Sequence, residues 1–322
     1  MTSRLWIAWE IQRRNRTASH ALGAPLLEID VGGHRLSRYL KSAWRTLKVL
    51  YQESPQIVIA QSPSIFLAVL AVVYGKVVQR FIVIDAHNAA IDRLPERNIL
   101  GAVSRWVFRE ANLTVVTNEG LASKVEKYGG RVAILPDPLP NFSRPKRMAL
   151  EGVFNVLFIC TWANDEPFED VIRAAYRIPR EIYIYITGNS RGREAIVGEG
   201  LPPNVMLTGF VPEEEFEGLL HSVDAVMDLT SREDCLLCGA YEAVSAERPL
   251  ILSDTFALRD YFDEGALFTD NTEAHIAKTI MEARDQYADL QVRIRNLKKD
   301  MPTRWNTYLR MLEAQLDISQ NE

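Results

Sequence analysis

Short apolar runs and longer helical patterns alternate along the whole chain. Each short run is rich in β-branched residues, as is typical of strands buried on both faces of a parallel sheet. The predicted strands are residues 4–9, 26–31, 56–62, 81–87, 113–118 and 131–136, and then 154–160, 181–187, 205–210, 225–230, 249–254 and 265–270. The pattern predicts an α/β protein with two doubly wound, Rossmann-like domains in tandem.

The Pro-rich segment 136–147 separates the two series and predicts a hinge. We expect an N-terminal domain over residues 1–143 and a C-terminal domain over 151–300. From Asn271 to Leu316 the sequence has no strand pattern and predicts helices with a break near Pro302. The last segment, 301–322, is expected to be a helix that packs back on the first domain.

Composition adds a charge asymmetry to this picture. Residues 1–150 hold 21 Lys and Arg against 11 Asp and Glu, whereas residues 151–322 hold 16 against 31. A basic domain favours anionic partners. The longest apolar run, residues 65–74, is shorter than the roughly 20 residues that span a bilayer, and it predicts a buried helix. Three cysteines and no secretory signal favour the cytoplasm.

Residues 230–254, TSREDCLLCGAYEAVSAERPLILSD, concentrate the candidate chemistry. Cys235 and Cys238 form one C-x-x-C pair, but structural zinc needs four ligands and no second pair is present, so we expect two small buried apolar side chains. A helix predicted to begin between Gly239 and Glu242 follows the loop after strand 225–230. Ligands of open parallel sheets bind beyond the carboxyl ends of strands, and a helix start suits a phosphate.

The same stretch resembles the donor-site signature of the GT-B glycosyltransferases, in particular the family-4-like group 1 enzymes. Their signature, E-x7-E followed by A-x-A-x-G-x-P-V-I, is similar to the segment that ends in YEAVSAERPLILSD. The resemblance covers most of residues 152–285, and VIDAHN and VVTNEGLASKV in the first half resemble the group more weakly. It implies a GT-B fold, with two Rossmann-like domains facing a cleft, and a nucleotide-sugar donor.

The resemblance also implies roles for individual residues. Glu242 would bind the donor ribose, and Asp234, or Glu233 one residue out of register, would contact the transferred sugar. His87 would lie against the donor sugar and the leaving phosphate. The remaining implied contacts are the pyrophosphate cradle of backbone N–H groups at Cys238, Gly239 and Ala240, and the base-holding segment of Thr208, Gly209 and Phe210.

One departure from the family concerns the diphosphate. Where these enzymes carry a G-R…K-G pair after the first strand of the second domain, this chain reads CTWANDEPFEDV, without a base. We therefore expect the positive charge from Arg191, Arg193 and Arg232. The chain has no D-x-D triplet, and GT-B enzymes generally work without a metal, so no metal or other cofactor is expected.

The segment HRLSRYLKSAWRTLKVL predicts a basic helical face. Arg35, Arg38, Lys41, Arg45 and Lys48 are spaced by three or four residues, which places them on one side of a helix. Such a face is typical of a helix that binds an anionic membrane surface, or of a helix exposed to solvent. Arg13, Arg14 and Arg16 would extend it toward a lipid-diphosphate acceptor.

The sequence thus predicts a hexosyltransferase-type glycosyltransferase that transfers a sugar from a nucleotide sugar to a saccharide acceptor, with a lipid-linked acceptor favoured. The protein would act in polysaccharide or glycoconjugate biosynthesis at the cytoplasmic face of the membrane. Retention of configuration is favoured, whereas an inverting enzyme would use His87 or Asp85 as its base. The alternatives are a GT-B sugar-nucleotide epimerase, an α/β-hydrolase with the G-x-S-x-G of residues 188–192, and a nucleic-acid-binding protein.

Overall fold

The computed structural model describes residues 3–62, 64–142, 146–192 and 200–318. These residues divide into two compact units. Unit 1 is Met1–Pro138 with Arg304–Glu322, and unit 2 is Leu139–Thr303. The unit boundary thus lies at the start of the Pro-rich segment.

Unit 1 contains a parallel sheet with six strands in the described residues. Its strands are β1 (Arg4–Ala8), β2 (Leu26–Glu28), β3 (Ile57–Ser62), β4 (Phe81–Ala86), β5 (Leu113–Val116) and β6 (Val132–Ile134). They lie in the order β2-β1-β3-β4-β5-β6, and all the pairings are parallel. Each of these strands lies inside a predicted apolar run. The residues of β3, for example, are all buried, so this strand has no exposed polar face.

Unit 2 also contains a parallel sheet with six strands in the described residues. Its strands are β7 (Phe154–Phe158), β8 (Ile182–Thr187), β9 (Val205–Gly209), β10 (Ala225–Asp228), β11 (Leu250–Ser253) and β12 (Ala266–Thr269). Their order is β12-β11-β10-β7-β8-β9. The two sheets confirm the predicted doubly wound α/β class.

In the described residues, helices connect most successive strands and cover both faces of each sheet. In unit 1 they are α1 (Arg13–Ala21), α2 (Arg35–Glu53), α3 (Ile65–Val78), α4 (Asn88–Ile91), α5 (Ile99–Glu110) and α6 (Glu119–Lys127). In unit 2 they are α7 (Phe168–Ala175), α8 (Glu213–Leu220), α9 (Cys238–Ser245), α10 (Phe256–Phe262) and α11 (Glu273–Asp285). Side chains of Asn98, Asn118, Thr255 and Thr272 cap four of these helices by accepting a backbone N–H.

The last helix, α12 (Tyr287–Ile318), runs through Pro302 without interruption, so the break predicted there is wrong. Proline inside a helix costs about 3 kcal/mol. Burial on both sides of Pro302 outweighs this cost: Leu297 and Met301 join an apolar cluster of unit 2, and Leu312 and Leu316 join one of unit 1. None of the helices in the described residues is long and apolar enough to cross a membrane.

The strand order identifies where a ligand can bind in unit 2. Strand β7 lies in the sheet interior, and the chain passes to β8 on one side of it and later to β10 on the other. Loops that leave β7 and β10 therefore diverge, and such switch points form the ligand crevices of doubly wound sheets. The two loops are residues 159–167 and 229–237.

Candidate functional site

The two switch-point loops of unit 2 are tied together through Asp165. Its carbonyl oxygen accepts the N–H of Ser231 at 2.7 Å, and its carboxylate accepts the hydroxyl of Thr230 at 3.0 Å. Arg232 Nε lies 3.1 Å from the same carboxylate. Arg232, one of the three predicted diphosphate ligands, is thus held at the β7 loop.

Glu166 organises the loop after β7. Its carboxylate accepts the backbone N–H groups of Thr161 and Ala163, both at 2.9 Å, and the Thr161 hydroxyl at 2.8 Å. The thiol of Cys160 lies 3.3 Å away; burial, followed by the charge of Glu166, raises the pKa of this thiol, which keeps it protonated. An internal carboxylate therefore occupies N–H groups that would otherwise suit a phosphate.

A second internal carboxylate, Asp228, lies at the start of α9. It ends strand β10, is buried, and faces the backbone N–H groups of Gly239 and Ala240, the second of which also donates to the Leu237 carbonyl oxygen at 3.1 Å. Burial raises the pKa of Asp228 well above its usual range; the charges of Glu166 and Glu242 add to this effect, and the two N–H groups oppose it.

This contact corrects the predicted pyrophosphate cradle. Gly239 and Ala240 are buried, and their N–H groups already have an acceptor inside the protein. In this chain the Asp228 carboxyl, whose pKa is raised by burial, occupies the space at this helix start. Sequence reasoning missed Asp228, Asp165 and Glu166. For Asp228 the sequence signal was an acid at the end of an otherwise apolar strand.

Glu242 lies one turn into α9, as the sequence predicts, and is partly exposed. The charge of Glu242 helps to raise the pKa of Asp228, so the two residues lie at the same edge of the sheet. Asp234 is partly exposed and Glu233 exposed, both in the loop between β10 and α9. Cys238 is exposed because it occupies the first position of α9, outside the packed turns, so its expected burial is wrong.

The predicted base-holding segment ends strand β9. The Thr208 hydroxyl is used internally, on the carbonyl oxygen of Ile186 at 3.3 Å. Gly209 adopts a φ of +68°, which favours glycine, and the Phe210 side chain that follows is 86% exposed. Arg191 is exposed after β8, and Arg193 lies outside the described residues.

In unit 1, His87 follows strand β4 and belongs to a buried charge network. Its Nε2 atom lies 3.6 Å from the Asp85 carboxylate. Arg14 donates to both oxygens of Asp85, with the shortest distance 2.8 Å, and lies 2.5 Å from Asp137. Burial opposes both charges, but their mutual attraction prevails, so the pKa of Asp85 is lowered and that of Arg14 is raised.

This network corrects two expectations. Arg14 is buried against Asp85, so it does not extend the basic surface with Arg13 and Arg16. Asp85 is fully buried and holds Arg14 on both oxygens, an arrangement that does not suit a general base.

The predicted basic face lies on α2. Arg38, Lys41, Arg45 and Lys48 are exposed there. Arg35 is the first residue of the helix, and its side chain lies outside the described part of the structure. Among the described residues, no group of three or more His, Cys, Asp or Glu side chains is arranged to hold a metal ion.

Two doubly wound parallel units, with a final helix shared between them, define the GT-B fold. HepE of Anabaena, solved in complex with UDP and glucose, matches with a TM-score of 0.73 and 12% identity over 98% of this chain and 100% of that chain. Sucrose-phosphate synthase of Thermosynechococcus elongatus matches with a TM-score of 0.77 and 12% identity over 100% of both chains. A proposed UDP-N-acetylglucosamine 2-epimerase of Listeria monocytogenes matches with a TM-score of 0.63 and 11% identity, over 92% of this chain and 91% of that chain.

No family model and no curated protein matches the sequence. At 11–12% identity the likeness to these solved structures establishes the fold.

Proposed function

We propose that this protein is a glycosyltransferase that transfers a hexose from a nucleotide sugar to a saccharide acceptor. The observation that carries the proposal is the position of Glu242, one turn into the helix that begins beyond the β7–β10 switch point. HepE, which shares the fold, was solved with UDP and with UDP-glucose, and this favours a nucleotide-sugar donor here.

The donor is held by unit 2 in this proposal. The Glu242 carboxylate accepts hydrogen bonds from the two ribose hydroxyls, and the exposed ring of Phe210 stacks on the base. Asp234, or Glu233 beside it, contacts the transferred sugar. These roles follow the family-4-like pattern of an acid eight positions before the ribose-binding glutamate.

The diphosphate is the part of the donor that this chain handles differently. Glu166 and Asp228 fill two places where backbone N–H groups attract anions. The proposed counter-charges are therefore Arg191, Arg193 and Arg232. Arg232 would have to exchange its Asp165 partner for the diphosphate.

The chemistry of the proposal requires no metal. Departure of the nucleoside diphosphate is assisted by guanidinium groups, and the family-4-like resemblance assigns a catalytic role to His87. The family-4-like pattern favours retention of the anomeric configuration. The acceptor is a saccharide linked to lipid through a diphosphate, as in polysaccharide or glycoconjugate biosynthesis, and the exposed bases of α2 favour the anionic cytoplasmic face of a membrane as its location.

Donor turnover with and without acceptor tests this function. The full chain is incubated with UDP-, GDP- and dTDP-linked hexoses, alone and with a membrane extract that contains diphosphate-linked saccharides. We expect release of the nucleoside diphosphate only when acceptor is present, with an α-linked product from an α-linked donor. An epimerase, the function proposed for the Listeria neighbour, would instead change the sugar without acceptor, and that outcome would overturn the proposal.

A further inference from the structure

Helix α2 packs on unit 1 with small polar residues. Thr46 and Ser42 are buried, and the Thr46 hydroxyl accepts the indole N–H of Trp9 at 3.0 Å. Leu50 completes the buried side. Tyr39, Ala43 and Val49 pack, partly buried, against the same apolar cluster, so the inward face combines small polar and apolar residues.

A second set of large apolar residues of α2 faces outward. Leu36, Leu40, Trp44, Leu47 and Tyr51, here called the α2 stripe, are 45–87% exposed. Their spacing of four, four, three and four residues places them within about 80° of arc on one side of the helix. An ordinary surface helix buries such a stripe against the core. Its exposure in this chain indicates a partner that lies outside the folded unit.

Two neighbouring helices continue the apolar surface. Helix α3 contacts both α2 and α5, and the three helices pack against the same apolar cluster on one face of the sheet. On α3, Phe66, Val73 and Val77 are exposed. On α5, Ile99 and Leu100 are exposed. Exposed apolar residues on this face are thus not confined to α2.

A basic row borders the α2 stripe. Arg38, Lys41, Arg45 and Lys48 occupy the adjacent exposed arc, and Lys48 Nζ lies 5.4 Å from the centre of the Trp44 ring. The helix contains a single acid, Glu53, at its C-terminal end. An apolar stripe with tryptophan beside a basic row matches the chemistry of an anionic lipid surface, where rings and leucines enter the headgroup region and bases meet phosphates.

We propose that the α2 stripe and its basic row dock this protein on an anionic membrane, with Leu40 and Trp44 inserted among the lipid headgroups. A second copy of the chain fits this surface less well, because a symmetric pairing would bring two basic rows together. The inference rests on the proposed function only in explaining how a lipid-linked acceptor is reached. It is tested without any sugar transfer.

Vesicle binding tests the surface directly. The full chain is floated with vesicles of phosphatidylcholine alone or with 30% phosphatidylglycerol, and its tryptophan emission is recorded. Trp44, at 63%, is the one exposed tryptophan among the described residues, so binding to the anionic vesicles should shift emission to the blue. Trp44→Phe should bind with little loss and without the shift.

Paired variants separate the apolar and the charged contributions. Leu40→Glu/Trp44→Glu should abolish binding, whereas the matched change Val153→Glu/Val292→Glu, at exposed positions of unit 2, should leave it unchanged. Lys41→Gln/Lys48→Gln should weaken binding to anionic vesicles about thirty-fold. Lys278→Gln/Lys299→Gln should not.

Three results would overturn the proposal. They are wild-type binding by the stripe variant with a native circular-dichroism melt, equal binding to neutral and anionic vesicles, and a wild-type dimer that the stripe variant converts to monomer in light scattering. The first two remove the membrane role of the surface, and the third assigns it to a second copy of the chain. Loss of sugar transfer alone would bear on the proposed function and leave this inference standing.

Discussion

The carboxyl group of Asp228 lies directly against the backbone of Gly239. A β-carbon added at Gly239 would overlap Asp228 Oδ2 and would come within 2.7 Å of Ile159 Cδ1. The glycine therefore lets the helix start approach the end of β10 closely enough for the carboxyl to accept its N–H groups. This contact joins the candidate site to the core of unit 2.

Gly239→Ala should destabilise the protein, although alanine is the better helix former by about 1 kcal/mol. The overlap with Asp228 and Ile159 should cost about 1–3 kcal/mol of unfolding free energy. Urea denaturation measures the difference, and Gly32→Ala is the control because nothing lies within 4 Å of a β-carbon there. The cost should shrink in an Asp228→Ala background, and equal costs in both backgrounds would refute the contact.

Asp228 should make the protein less stable as the pH rises. Its pKa is raised in the folded state by burial first, so the folded chain binds more protons than the unfolded chain between the ordinary aspartate pKa and the raised value. Unfolding free energy then falls by up to about 1.4 kcal/mol per pH unit across that window.

Asp228→Asn keeps the hydrogen-bond acceptor and removes the titration. Thermal melts between pH 4 and pH 8 should show a smaller decline for Asp228→Asn than for the wild type. Asp224→Asn provides a comparison at another acid of the same unit. Parallel melting curves for wild type and Asp228→Asn across the pH range would show that the Asp228 carboxyl is not perturbed.

The buried pair of Arg14 and Asp85 should contribute strongly to unit 1. Arg14→Met leaves the Asp85 carboxylate buried without its main partner and should cost about 3–5 kcal/mol in urea denaturation. Arg259→Met removes an exposed pair with Asp254 and should cost less than about 1 kcal/mol. Similar costs for the two variants would contradict the assignment.

The ring of Phe210 should bind the donor base. Phe210→Ala should weaken the binding of the preferred nucleotide sugar by about 1–3 kcal/mol, as for other bases stacked on aromatic side chains. Phe256→Ala, which removes another exposed ring of unit 2, is the control. Fluorescence or calorimetric titration compares the two, and undiminished binding by Phe210→Ala would remove the base from this segment.

The strands were predictable because a strand buried on both faces needs an unbroken apolar run. The apolar runs of β3 and β8 can be recognised from the sequence alone, without knowing which strands lie beside them. The position of Glu242 was predictable for a related reason, since a helix follows each strand at its carboxyl end. Both inferences depend on local pattern.

The remaining features depend on which distant residues meet. The sequence predicted a phosphate beside the N–H groups of Gly239 and Ala240. In the structure the carboxyl group of Asp228, from another element, lies there instead. The charge of Arg14 suggested a surface residue, but Asp85, 71 positions away, buries it. The outward direction of Trp44 depends on Trp9 holding Thr46 against the core. No periodicity in the sequence indicates which of these distant residues contact each other.

Calorimetric titration of nucleotide sugars into the wild type and Glu242→Ala tests whether Glu242 binds a nucleotide-sugar donor. We expect one member of a panel of UDP-, GDP- and dTDP-sugars to bind the wild type. Loss of hydrogen bonds to a charged group should weaken that binding about 10- to 100-fold in Glu242→Ala, while Glu215→Ala, an exposed acid of α8, keeps it. Equal binding by wild type and Glu242→Ala, or no binding of any nucleotide sugar, would contradict the account.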